Sequence, residues 1–205
     1  IVGPTWLFLH HVFTMNALEP LFWAGCAYLA IAITKTRDAR LWLWFGVLAG
    51  IGLLNKNSVL FLCFGLLVGL LLTRERAFFR ERWVWLAVLL ALLIWLPNVF
   101  GQAQQGLPHL EFLREVRAIR DIRMSPLEFL FSQVGMMNPI TLPIWLAGLY
   151  FFFSRAGGAY RALGWAYLTM LATFILLHGQ LYYLLPAYPM LLAAGSVQLE
   201  EIIQQ

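Results

Sequence analysis

Charge is what this chain has least of. Only 12% of its 205 residues are Asp, Glu, Lys or Arg, against about 25% in a soluble domain. A soluble fold needs a charged exterior, so this composition excludes one. Disorder is excluded as well, because it needs low hydrophobicity and high net charge. Cysteine is nearly absent: Cys26 and Cys63 both lie inside apolar runs, which argues against a disulfide framework. Nucleotide-binding and metalloprotease signatures are missing: there is no Walker A loop, no GxGxxG after a strand, no HExxH and no CxxC.

What is present is apolar. AVILMFWYC residues make up 61% of the chain, and mean hydropathy is +0.76. The continuous runs fall at about 17–34, 41–54, 58–73, 83–97, 138–153, 162–178 and 183–199. A closed barrel would alternate polar and apolar residues, so the expected fold is all-α: a polytopic transmembrane bundle of about seven spans in one domain, 1–205. Ile1 opens the chain in an apolar stretch with no basic start, and the chain reads as the C-terminal part of a longer protein.

Basic residues orient the bundle. Loops 35–40, 74–82 and 154–161 hold nine of the fourteen Lys and Arg, and they alternate with the others. The positive-inside rule makes that side cytoplasmic, with the N-terminal end outside and the C-terminus inside. The net charge of +4 then reflects orientation and implies no nucleic acid. Trp42, Trp44, Trp83, Trp85, Tyr182 and Tyr183 fall near span ends and read as interface anchors.

Four places break the membrane rules. The turn Asn55-Lys56-Asn57 joins runs of about 14 and 16 residues, roughly 21–24 Å each and shorter than a core of about 30 Å. Lys56 either lines a polar cavity suited to an anionic headgroup or snorkels from a tight turn. Glu19 either sits at N3 of a helix capped by Asn16 or is an acid at the floor of an outward cavity. His178, Tyr182 and Tyr183, with Pro186 and Pro189, read as a broken, polar-lined outer mouth, with His178 otherwise an interface residue at a span end. Finally, loop 98–137 is expected to carry a short interfacial helix, where Arg114 and Arg117 could grip phosphate or merely meet headgroups. The adjacent His10 and His11 make a weak metal site, and no metal ligands are assigned.

Three segments, MNALEPLFWAGCAYLAI, GIGLLNKNSVLFL and YYLLPAYPMLLAAG, resemble bacterial members of glycosyltransferase family 39. These are the dolichyl-phosphate-mannose protein mannosyltransferase type and include aminoarabinose transferases. The resemblance implies the C-type glycosyltransferase membrane fold in a bacterial inner membrane. It implies transfer of a sugar from a polyprenyl-phosphate carrier to a lipid, glycan or protein acceptor at the outer face. No cofactor is implied, since the polyprenyl-phosphate sugar is a substrate, and a divalent metal stays open.

On that resemblance Lys56, beside Asn55, matches the lysine of a Gly-x-Gly-x-x-x-Lys turn that meets the carrier phosphate. Glu19 matches an acidic catalytic-site position, and Tyr182 and Tyr183 the last outer turn. Gln180 stands where relatives often carry a basic residue. The family's principal acid lies in a first outer loop, and no Asp or Glu precedes Glu19, so the chain is expected to be inactive alone. Two other classes are weighed: a lipid-linked-sugar flippase, which would want mid-membrane polar residues and inverted repeats, and a non-catalytic scaffold.

Overall fold

The computed structural model describes residues 11, 13–106, 111 and 124–204. Among these it is helical, with no strand. Eight α-helices follow in order: α1 Met15–Thr36, α2 Leu41–Asn55, α3 Val59–Leu71, α4 Arg82–Gln104, α5 Pro126–Met136, α6 Leu142–Phe153, α7 Arg161–Leu176 and α8 Tyr188–Ile203. Short 3₁₀ turns link several of them, chiefly Arg74–Arg80 and Leu181–Ala187. Cys26 and Cys63 are both free.

All seven apolar runs lie in helices, but not as seven full spans. By length and composition, Met15–Thr36, Arg82–Gln104 and Gly158–Leu176 can cross a membrane. Pro126–Met136 and Pro139–Phe153 make a fourth candidate only as a pair bent by 97°. The bend falls at Asn138, whose φ of 68° is left-handed, and Pro139 then restarts the chain. Helices α2 and α3 are apolar but have only 15 and 13 residues. At 1.5 Å per residue they cover about 20–22 Å.

Bundle packing rests on small residues, because lipid supplies no hydrophobic drive between helices. The most extensive pairings are α6 with α8, α2 with α4, α3 with α7 and α1 with α2. Where α3 crosses α7, a Cβ on Gly69 would lie 2.1 Å from the Ala162 carbonyl oxygen. Where α6 crosses α8, a Cβ on Gly148 would lie 1.9 Å from that of Leu191. Only glycine permits either approach.

Several boundaries differ from the expectations. Helix α4 continues past Pro97 to Gln104, and α5 occupies Pro126–Met136, so helix fills both ends of the stretch read as loop 98–137. Ser125 caps α5 in a capping box with Glu128, a local signal strong enough to start a helix in that stretch. The interfacial helix itself, with Arg114 and Arg117, lies outside the described residues. Helix α8 begins at Tyr188, not 183, because Pro186 and Pro189 hold the preceding seven residues in a 3₁₀ turn. Trp42 is no interface anchor: it is buried, with its ring edge-on to Phe45 and Phe78 at 5.2 and 5.9 Å.

Candidate functional site

The site forms where three helix ends meet. Thr14 caps α1, its hydroxyl accepting from the Asn16 backbone N–H. This moves the helix start two residues ahead of the expected Asn16 cap. Glu19 is therefore past the first turn, where a capping role cannot reach it. It lies about 6 Å along the axis from the first residue of α1. Its side chain is 3% exposed.

Helix α2 delivers the partner. Gly52 lets α2 run close to α1: a Cβ there would meet Phe22 and Val59 at 3.0–3.2 Å. The helix stops after Asn55, and Lys56 takes an extended conformation, φ −160° and ψ 133°. Asn55 Nδ2 donates to the Met15 carbonyl at 2.8 Å, which sets the end of α2 level with the start of α1. Lys56 then reaches inward. Its Nζ donates to Glu19 Oε2 at 2.6 Å and to Asn16 Oδ1 at 2.9 Å. Ser58, buried at the start of α3, donates its hydroxyl to Glu19 Oε1. Both carboxylate oxygens are thus engaged from within the chain.

Two rings complete the enclosure. Lys56 Nζ lies 5.3 Å from the Tyr182 ring centroid and 5.1 Å from that of Tyr183, within cation–π range. The 3₁₀ turn that carries both tyrosines is held from below. Buried Gln133 on α5 donates Nε2 to the Leu181 carbonyl at 2.9 Å and accepts from the Tyr188 hydroxyl at 3.2 Å. Sequence reading missed Gln133. The signal was present: a lone amide in an apolar stretch, which burial obliges to find partners.

The structure therefore brings together Glu19, Asn55, Lys56, Tyr182 and Tyr183. It leaves His178 apart. That residue is exposed, with φ 50°, just beyond α7, and its side chain makes no hydrogen bond or ion pair with the cluster. Lys56 does not snorkel: its side chain is only 10% exposed and points to an acid, not outward.

An apolar helical bundle with helices long enough to cross a membrane defines a membrane protein, and this one buries an ion pair between two helix ends. Residues 2–100 match the model of the dolichyl-phosphate-mannose-protein mannosyltransferase family, which takes in the first two of the three resembling segments. That family implies a membrane glycosyltransferase of the mannosyltransferase type. The match takes in Glu19, Asn55 and Lys56, whereas Tyr182 and Tyr183 lie beyond it. No curated protein and no solved structure matches the chain.

Proposed function

We propose that this chain binds the phosphate of a polyprenyl-phosphate-linked sugar through Lys56 and serves transfer of that sugar to an acceptor at the outer face of the membrane. The observation that carries this reading is the enclosed ammonium. An ammonium has three N–H donors, and Glu19 and Asn16 take two, which leaves one for a phosphate oxygen. A cation held rigid in a low-dielectric site stabilises charge that develops on a leaving group. In an inverting transfer, the acceptor hydroxyl oxygen bonds to the anomeric carbon as the carbon–oxygen bond to phosphate breaks, and the hydroxyl proton passes to a carboxylate base, the role the family resemblance gives the principal acid of the first outer loop. The lipid phosphate leaves with the electron pair, next to Lys56.

Glu19 has a supporting role in this reading. With both oxygens engaged it is a positioning residue for Lys56 rather than a free base. Asn55 fixes the turn, and Tyr182 and Tyr183 wall it. Arg114, Arg117 and His178 remain candidates for further phosphate contacts. The enzyme sits in a bacterial inner membrane, with the Lys56 end outward.

The test is Lys56→Ala in the full-length enzyme, with sugar transfer and polyprenyl-phosphate binding measured together. Transfer should fall by about 10²–10³, the usual cost of removing one group that stabilises a developing anion. Carrier binding should weaken with it. Unchanged turnover with unchanged carrier affinity overturns the assignment.

A further inference from the structure

The other end of the bundle holds a second polar feature. Arg37 ends α1, about 27 Å along that helix axis from Glu19. A cavity of about 600 Å³ opens there, lined by Arg37, Arg74, Arg76 and Arg161 among others. These arginines come from three stretches far apart in sequence: the end of α1, the 3₁₀ turn after α3 and the first residue of α7. One acid, Glu75, lines the same cavity, and it is already taken. Arg37 donates to both of its oxygens, at 2.5 and 3.0 Å, and lies 5.7 Å from the Phe78 ring centroid. No carboxylate among the described residues lies within 4 Å of Arg74, Arg76 or Arg161. Arg74, Arg76 and Arg161 therefore line one concavity with no ion-pair partner among the described residues.

Topology alone accounts for arginines in these loops but not for their convergence on a cavity. The surroundings are of the kind found at headgroup depth. Leu72, also in the lining, is apolar and exposed. Nearby in sequence, the guanidinium carbons of Arg40 and Arg82 lie 6.0 and 4.9 Å from the Trp83 ring centroid. A belt of aromatic rings and cations marks a membrane–water boundary. Guanidinium forks match phosphate oxygens in geometry and charge.

We propose that this cavity binds the phosphate headgroup of an anionic membrane lipid. The site is separate from the Lys56 cluster and stands without the transferase reading. Arg37 and Glu75 form its fixed wall, and Arg74, Arg76 and Arg161 supply the grip.

The test uses delipidated full-length protein in detergent, followed by native mass spectrometry and thermal denaturation. Three additions are compared: dioleoyl phosphatidylglycerol, dioleoyl phosphatidylcholine and sodium pyrophosphate. Phosphatidylglycerol should stay bound and raise Tm, while the other two leave it unchanged. Each arginine near a phosphate is worth about a fivefold change in affinity. R74Q/R76Q/R161Q should therefore weaken phosphatidylglycerol on the order of a hundredfold, with Tm in phosphatidylcholine unchanged. If that variant does not fold, Arg161→Gln alone should still give about a fivefold loss. Equal stabilisation by phosphatidylcholine, or full retention of phosphatidylglycerol by the variants, overturns the proposal. Pyrophosphate matching phosphatidylglycerol overturns the lipid in favour of a soluble anion.

Discussion

Lys56 Nζ and Glu19 Oε2 lie 2.6 Å apart, although 37 residues separate them in the chain. Both side chains are nearly closed to solvent. Two helix ends are brought level by the Asn55–Met15 hydrogen bond, and the pair closes across them. Such a pair is weak evidence for stability, because desolvating two ions offsets most of their attraction. Its retention in an apolar bundle points instead to a site, and it carries sharp consequences for substitution.

Removing one partner should be far worse than removing both. Glu19→Gln leaves Lys56 without its counter-charge in a dry setting, at a cost of about 3–5 kcal/mol. Glu19→Gln combined with Lys56→Met should recover most of that loss, since no unpaired charge remains. Thermal denaturation in detergent reads the stability. Sugar transfer should stay low in both variants, because the ammonium loses its anchor in Glu19→Gln and is absent from the double variant. A double variant no more stable than Glu19→Gln would show that the unpaired lysine is not what destabilises the single variant.

Much of this was legible in the sequence, for reasons that differ by residue. The class followed from composition, since too little charge leaves only membrane helices. Lys56 stood out because a lysine between two short apolar runs is costly at depth. Glu19 was harder to place. Asn16 is a good N-cap type, so a local account of Glu19 was available, and only the Thr14 cap removes it. That Tyr182 and Tyr183 flank Lys56 could not be read, because more than a hundred residues intervene and no local pattern spans them. Trp42 misled for a related reason: a tryptophan near a helix start serves equally as anchor or core, and packing against Phe78 decides. The arginine cavity was invisible, as loop charge says nothing about convergence.

Gln133 should matter to the site without touching the carrier. Gln133→Leu removes the donor to the Leu181 carbonyl and the acceptor for the Tyr188 hydroxyl. Orphaning buried groups of this kind costs about 1–3 kcal/mol each. The turn bearing Tyr182 and Tyr183 then loosens. KM for the lipid-linked donor should rise more than kcat falls, and Gln133→Glu, which keeps one acceptor, should be intermediate. A Gln133→Leu enzyme with lower stability but unaltered KM would confine the residue to structure.

The tyrosine rings make a separable prediction. Tyr183→Phe keeps a ring face for Lys56, while Tyr183→Leu removes it. A desolvated cation–π contact is worth up to about 2 kcal/mol. Carrier binding, measured by fluorescence or calorimetry on the full-length protein, should survive the first change and weaken several-fold with the second. Equal loss in both variants would assign the effect to the hydroxyl.

Glycines should divide by the space around them. At Gly148 a Cβ would fall 1.9 Å from the Leu191 carbonyl oxygen, and α6 and α8 must part to admit it. Overpacking of this kind costs about 1–3 kcal/mol or more, so Gly148→Ala should lower Tm. Gly101, inside α4, has nothing among the described residues within 4 Å of the same position. There the change to alanine relieves only the entropy of glycine in a helix, and Gly101→Ala should gain about 0.5–1 kcal/mol. Both variants can be measured in one thermal series. If Gly148→Ala matched Gly101→Ala, the close crossing of α6 and α8 would not be what holds that end of the bundle together.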